Sequence, residues 1–198
     1  MTEHPETGKP LGNAEMLERI EILRGDITRV RVDAIVNAAN AALAGGGGVD
    51  GAIHRAAGPA LAEACRKIRE ARGGCRTGDA VATEAGLLGV KAVLHAVGPI
   101  WQGGTAGEAE ELASCYRRCV ALAAEAGYRS LAFPNISTGV YGYPREEAAR
   151  VSIGALIDAL RLAPSLLRVV LVCYDEENLH CCRAEIERRN ALFRTKQA

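Results

Sequence analysis

Short apolar runs alternate along the chain with longer segments in which apolar positions recur at helical spacing. An uninterrupted run of aliphatic and β-branched residues predicts a buried strand, whereas apolar residues three and four positions apart predict the inner face of a helix. Six strands are predicted on this basis, at residues 18–23, 32–37, 80–84, 91–97, 130–134 and 167–173. Five helices are predicted, at residues 50–57, 59–72, 107–126, 145–161 and 176–193. Their alternation predicts a three-layer α/β/α sandwich.

The 198 residues are enough for one domain with a substantial core. No internal repeat and no linker interrupts the alternation, so residues 15–195 are predicted to form a single domain. Residues 1–14 place two prolines and two glycines among polar residues, a composition that predicts a disordered tail.

Composition excludes several classes of function. The formal net charge is zero, with 24 basic and 24 acidic residues, so no general nucleic-acid binding is expected. The longest apolar run falls far short of the ~20 residues that span a bilayer, so no membrane partner is expected. The seven cysteines are odd in number and form no C-x-x-C pair, which favours reduced thiols and a cytoplasmic protein. The run His180-Cys181-Cys182 has no second ligand pair at a suitable spacing, so no metal is predicted.

The most informative segment follows the second predicted strand. The run Val32–Asn40 ends in carboxamides, and four consecutive glycines, Gly45–Gly48, come next with Asp50 behind them. Bare glycine N–H groups at the start of a helix favour an anion, because the helix dipole adds to their partial charge. A carboxylate at such a place is electrostatically unfavourable unless it holds a sugar hydroxyl or orients a water molecule.

The same glycines formally match the G-x-G-x-x-G fingerprint of nicotinamide dinucleotide sites. That fingerprint requires a short strand-to-helix turn, but residues 40–44 intervene here. It also requires an acidic residue at the end of the next strand, where this chain has a predicted helix at residues 59–72. A Rossmann site is therefore the less favoured interpretation.

Other predicted strands also end in polar or glycine-rich segments. The segment Asn135–Tyr143 follows one strand, Tyr174 and Asp175 follow another, and Arg24–Ile27 follows the first. Ligands of open α/β sheets bind beyond the carboxyl ends of the strands. Two glycine-rich segments, each leading into a helix, are suited to hold a diphosphate between them.

Taken together, these motifs resemble a macrodomain of the MacroD type over roughly residues 16–190. The segments that carry the resemblance occur in the family's order: Gly25–Thr28, Val32–Asn40, Gly45–Gly51, Ile53–Gly58, His95–Pro99 and Ile136–Tyr143. The resemblance implies a mixed, mostly parallel six-stranded sheet between helices. It also implies that the ligand is ADP-ribose and that no redox cofactor or metal takes part.

The resemblance assigns roles residue by residue. Asp26 matches the acid that accepts a hydrogen bond from the adenine amino group, beside the Ile27 backbone, and Tyr174 stands where an aromatic ring packs on adenine. The first diphosphate loop matches Gly46, Gly47, Gly48 and Val49. The second matches Ser137, Thr138, Gly139, Val140 and Tyr141, with Tyr141 beside the distal ribose. Asn40 and Asp50 match the catalytic pair of the hydrolytic members.

The activity implied is hydrolysis of ADP-ribose esters. Its substrates would be O-acetyl-ADP-ribose and proteins that carry mono-ADP-ribose on Asp or Glu side chains. Asp50 would orient or deprotonate the attacking water, with the substrate diphosphate as an alternative activator, and Asn40 would hold the distal ribose. Two other functions remain open, a non-catalytic ADP-ribose reader and a phosphatase acting on ADP-ribose 1″-phosphate. No poly(ADP-ribose) glycohydrolase is expected, because Val49-Asp50-Gly51 replaces the Gln-Glu-Glu run of that class.

Most of these residues also have a purely structural interpretation. Asp50 is a suitable helix N-cap. Asn37 and Asn40 are suited to satisfy loop backbone groups, and Tyr174 is consistent with an ordinary aromatic residue at a sheet edge. His54 and His95 are expected to be structural.

Overall fold

The computed structural model describes residues 12–195, and a single six-stranded sheet forms its centre. The strands are β1 (Ile20–Arg24), β2 (Ala34–Ala38), β3 (Ala80–Glu84), β4 (Ala92–Ala96), β5 (Ser130–Pro134) and β6 (Arg168–Cys173). They lie in the order β1-β6-β5-β2-β4-β3, and only the pairing of β3 with β4 is antiparallel. The predicted mixed, mostly parallel six-stranded sheet is confirmed.

Helices cover both faces of this sheet. Over residues 12–195 they are α1 (Asn13–Glu18), α2 (Gly48–Ala57), α3 (Pro59–Arg72), α4 (Glu108–Glu125), α5 (Arg145–Leu162) and α6 (Glu176–Thr195). One core lies between the sheet and α1, α4, α5 and α6, and a second lies beneath α2 and α3. Strand residues alternate between the two, so Val36 of β2 enters the first core and Ile35 enters the second.

The amino-terminal helix α1 is not among the predicted elements. Residues 13 and 14, the last two of the predicted tail, lie in the first turn of this helix. The first eleven residues of that predicted tail lie outside the described residues. Met16 and Leu17 are both almost fully buried, and α1 packs against α5 and α6. Because a six-residue helix with only two buried residues shows no helical period, the hydrophobic pattern gives no signal for it.

The other predicted elements are present with small shifts at their ends. Strand β1 begins at Ile20 instead of residue 18, because α1 occupies the residues before it. Helix α2 begins at Gly48, two residues earlier than predicted, so Asp50 is its third residue. In the described part of the chain, no helix is both long enough and apolar enough to cross a membrane.

Candidate active site

The carboxyl ends of the five parallel strands lie along one side of the sheet, called here the carboxyl edge. Asp26 follows β1, Tyr174 follows β6, residues 137–141 follow β5 and residues 40–49 follow β2. All of the sequence-predicted site residues are therefore brought to this edge. Since neighbouring strands lie about 4.8 Å apart, the ends of β1 and β2 are separated by three intervals, or roughly 14 Å.

The segment between β2 and α2, residues 39–47, is called here the first glycine loop. Asn40 closes it, because Nδ2 donates to the Gly45 carbonyl at 2.9 Å and Oδ1 accepts from the Ala44 N–H at 3.1 Å. Gly48 then begins α2 with φ of +55°, which explains why a side chain is disfavoured there. The amide of Asn40 thus stabilises its own loop, and this loop leads directly into the amino end of α2.

Asp50 lies beneath this loop and is only 5% exposed. Its Oδ1 accepts a hydrogen bond from Asn37 Nδ2 at 2.6 Å and lies 3.4 Å from His54 Nε2. Within residues 12–195 nothing donates to its Oδ2. A Cβ built on Gly46 would stand 3.2 Å from Oδ2. Asp50 does not cap α2, and the structural interpretation offered by the sequence therefore does not account for it.

Asn37 and His95 are buried completely and were missed as site residues. The amide nitrogen that donates to Asp50 also lies 3.1 Å from His95 Nδ1. One sequence signal was available. Asn37 has the same strand parity as Ile35 and therefore faces α2, where a buried polar side chain must find a partner. His54, also expected to be structural, contacts Asp50 as well.

The second glycine loop comprises residues 137–142, after β5. Ser137 adopts φ of +66°, which is uncommon for a residue with a Cβ. Its carbonyl accepts from Tyr143 N at 3.0 Å, and Gly142 N donates to Gly139 O at 2.9 Å. Gly98, after β4, lies so close that a Cβ there would be 2.2 Å from Ser137 Oγ. Backbone turns and this contact therefore define the position of Ser137.

Contacts from the segment before α4 support the second glycine loop. Trp101 N donates to Tyr141 O at 2.9 Å, and the Trp101 ring packs on Tyr143 with centroids 4.6 Å apart. The buried Glu108 carboxylate accepts backbone N–H groups from Gln102, Gly104 and Ala106. Thr138 Oγ1 donates back to Asn135 O at 3.1 Å. Gly139 and Val140, in contrast, are exposed.

Asp26 and Tyr174 lie at the other end of the carboxyl edge. The Thr28 hydroxyl donates to Asp26 Oδ1 at 2.7 Å and lowers the pKa of that carboxyl, with further help from the Thr28 N–H and Arg29. Ile27 is buried, so only its backbone can meet a ligand, whereas Tyr174 is 87% exposed. Gly25 N bonds to Cys173 O at 3.0 Å, which holds the ends of β1 and β6 together.

Two buried polar atoms at the carboxyl edge have no hydrogen-bond partner within the described range, Asn37 Oδ1 and Ser137 Oγ. Such groups are costly to bury unless a ligand or water satisfies them. Val49, the second residue of α2, is partly buried and packs on the core beneath this helix. Residues 12–195 include no cluster of three or more His, Cys, Asp or Glu that could hold a metal ion.

Comparison with known proteins shows the family of this chain. The family model for the macro domain matches residues 36–152. A macro domain-containing protein of Cupriavidus necator is 56% identical over 85% of this chain and 98% of its own length. A protein of Salmonella typhimurium named O-acetyl-ADP-ribose deacetylase is 57% identical over 82% of this chain and 90% of its own.

Solved structures agree as well. The Oceanobacillus iheyensis macrodomain with ADP has a TM-score of 0.81 at 40% identity, covering 87% of this chain and 92% of that one. The Trypanosoma brucei macrodomain in complex with ADP-ribose has a TM-score of 0.79 at 38% identity, covering 86% and 70%. Because the family model matches residues 36–152 and a relative is 56% identical over 98% of its own length, this chain belongs to the macrodomain family.

Proposed function

We propose that this protein binds ADP-ribose at the carboxyl edge and hydrolyses O-acetyl-ADP-ribose to ADP-ribose and acetate. We extend the proposal to the esters that join mono-ADP-ribose to Asp and Glu side chains of proteins. The observation that carries it is the buried Asp50 carboxylate, which is held through one oxygen while the other lies under Gly46. The names of the relatives support the same reaction.

The diphosphate would lie between the two glycine loops. The amino end of α2 supplies N–H groups and a positive dipole end, and Ser137 Oγ supplies a hydroxyl without a protein partner in the described residues. Adenine would lie at the far end, with its amino group on Asp26 and its ring on the exposed face of Tyr174. In this arrangement the distal ribose would lie over Asp50, which agrees with the first glycine loop following β2 and the adenine residues following β1 and β6.

Hydrolysis then needs one positioned water molecule. Its oxygen forms a bond to the ester carbonyl carbon while its proton passes to Asp50 Oδ2. The bond between that carbon and the ribose oxygen breaks, and the proton on Asp50 goes to the ribose oxygen. The acid leaves as a carboxylic acid that keeps the second proton of the water, and it then loses this proton to solvent to become a carboxylate. Positioning and proton transfer are the two contributions required of the protein. Asn40 would hold the ribose through the second N–H of its amide, since the first is bound to Gly45.

The proposed reaction requires no cofactor. All seven cysteines are free thiols, which suits the reducing conditions of the cytoplasm.

The test is to incubate the protein with O-acetyl-ADP-ribose and with a peptide ADP-ribosylated on glutamate, and to measure released acetate and ADP-ribose. We expect both. Calorimetric binding of ADP-ribose without release would indicate a reader, and release of phosphate only from ADP-ribose 1″-phosphate would indicate a phosphatase.

A further inference from the structure

His95 lies on β4, and the side chain of Asn37 stands between its ring and the carboxylate of Asp50. It is completely buried, with Nδ1 3.1 Å from Asn37 Nδ2 and Nε2 2.9 Å from Thr83 Oγ1. The other strand residues around it on β4, Val93, Leu94 and Ala96, are apolar, as expected for a central strand. A polar ring at this position therefore needs an explanation beyond packing.

The hydrogen-bond donors and acceptors define the state of the ring. Asn37 Nδ2 carries two protons, and its two near acceptors are Asp50 Oδ1 and His95 Nδ1. His95 Nδ1 must therefore be the unprotonated nitrogen, and Nε2 carries the proton and donates to Thr83 Oγ1. Burial, with the nearby His54 as a second cause, lowers the pKa of His95 to about 4, which keeps the ring neutral. The Cys65 thiol near Nε2 stays neutral too, because burial raises its pKa.

The opposite arrangement would break the contact to Asp50. If His95 Nδ1 carried a proton, the Asn37 amide would have to turn over to offer its oxygen to the ring. That rotation would place Asn37 Oδ1 where the nitrogen now stands, 2.6 Å from a carboxylate oxygen, and the two acceptors would repel each other. The tautomer of His95 and the orientation of Asp50 are therefore linked through one amide group.

We propose that His95 is a positioning residue for the hydrolytic reaction: its unprotonated Nδ1 orients the Asn37 amide, which anchors Asp50 Oδ1 and leaves Oδ2 for the attacking water. The inference rests on the proposed function, since it assigns Asp50 to water activation. His95 itself touches no substrate. His54 contacts Asp50 from α2 and is not part of this chain of hydrogen bonds.

A matched pair of variants tests the proposal. His95→Asn and His95→Leu have nearly the same shape and both lose the contact to Thr83, but only the asparagine side chain keeps an acceptor near the Nδ1 position. We expect His95→Leu to lower kcat for O-acetyl-ADP-ribose by about 10- to 100-fold, the effect of a misplaced reacting group. Its Kd for ADP-ribose should stay within about threefold of the wild-type value, and His95→Asn should recover most of kcat. Equal loss of kcat in both variants would overturn the proposal.

A double-mutant cycle shows whether His95 acts through Asp50. In an Asp50→Ala background, His95→Leu should cause no further loss of the residual rate. A second loss as large as the first would mean that His95 acts by another route, and the proposal would be wrong.

Nitrogen NMR of His95 in the intact protein gives an answer that does not need turnover. The two ring ¹⁵N shifts should report the neutral form with the proton on Nε2 from pH 5.5 to 8. A proton on Nδ1, or a ring that titrates in this range, would overturn the proposal. If wild-type protein hydrolysed no ADP-ribose ester, the proposed function would fail, while the NMR result would still decide the tautomer.

Discussion

Asn37 and Asp50 are 13 residues apart in the chain, and the amide nitrogen of the first donates to one carboxylate oxygen of the second at 2.6 Å. Both side chains are almost inaccessible to solvent. The bond joins the end of β2 to the first turn of α2 across the first glycine loop, so the loop and the carboxylate are held as one unit. A polar side chain buried in this way, with one oxygen lacking a donor within residues 12–195, is costly, which favours a role in chemistry.

The first prediction concerns the space above α2. A Cβ at Gly47 would meet no atom of residues 12–195 within 4 Å, and its φ of −92° is open to any residue. Gly47→Val should therefore fold, with only the small loss of stability expected when valine replaces glycine at the N-cap of α2. It should weaken ADP-ribose binding more than tenfold, about 1.4 kcal/mol, because the new side chain occupies the diphosphate position. Gly89→Val at the opposite end of the sheet is the control and should bind normally. Normal binding by Gly47→Val would place the diphosphate elsewhere.

Gly98 is expected to behave differently. Its Cβ would stand 2.2 Å from Ser137 Oγ and 2.5 Å from Ile136 Cγ2, so Gly98→Ala must displace the second glycine loop. We expect a loss of about 1–3 kcal/mol in the free energy of unfolding, the usual cost of overpacking, together with weaker ADP-ribose binding. Denaturant titration and calorimetry measure the two effects. An alanine variant as stable as wild type would show that the contact between the strand ends is loose.

Asp26 has two roles to separate, because it accepts from Thr28 and is proposed to bind adenine. Asp26→Ala should weaken ADP-ribose binding by about 1.5–3 kcal/mol, the range for a hydrogen bond to a charged group. Thr28→Val removes the hydroxyl contact but keeps the carboxylate, and should bind within about twofold of wild type. If Thr28→Val lost as much affinity as Asp26→Ala, the carboxylate would act through the turn alone.

His95 makes stability depend on pH. Its pKa is lowered from 6.5 to about 4 by burial, so the unfolded chain binds a proton between these values and the folded protein does not. Stability should therefore fall as the pH drops from 6.5 towards 4, by on the order of 3 kcal/mol in all. Unfolding free energies of wild type and His95→Leu across this range isolate the contribution, which should disappear in the variant. If the unfolding free energies of the two proteins changed in parallel with pH, the assignment of this pH dependence to His95 would be wrong.

Much of the fold follows from local sequence patterns. Strands β3 and β5 and helix α3 begin and end where the hydrophobic pattern predicts, because each has a strong period or a sharp boundary, such as Pro59 at the start of α3. Helix α1 is not predicted, because it is stabilised by packing of Met16 and Leu17 on helices that are distant in the sequence. Tertiary packing of this kind leaves no local period.

The sequence predicts which loops and carboxylates form the candidate site, but not the hydrogen bonds between its buried side chains. Glycine loops and carboxylates mark the strand ends, and the family resemblance assigns them to parts of a ligand. The contact of Asn37 with His95, however, joins residues 58 positions apart, and their partners depend on the register of β2 with β4. That register sets Asn37 opposite His95, which a single sequence does not reveal. Asn40 and Asp50 keep their proposed roles as predictions.

The most direct measurement compares wild type, Asp50→Asn and Asp50→Ala for acetate release from O-acetyl-ADP-ribose and for calorimetric binding of ADP-ribose. The asparagine variant keeps the shape and an acceptor for Asn37, and the alanine variant keeps neither. Both should lose about 10²- to 10⁴-fold in kcat, the contribution of a general base. Neither should bind ADP-ribose more weakly, because the carboxylate repels the diphosphate in the ground state. Wild-type rates of acetate release from either variant would contradict the assignment of water activation to Asp50.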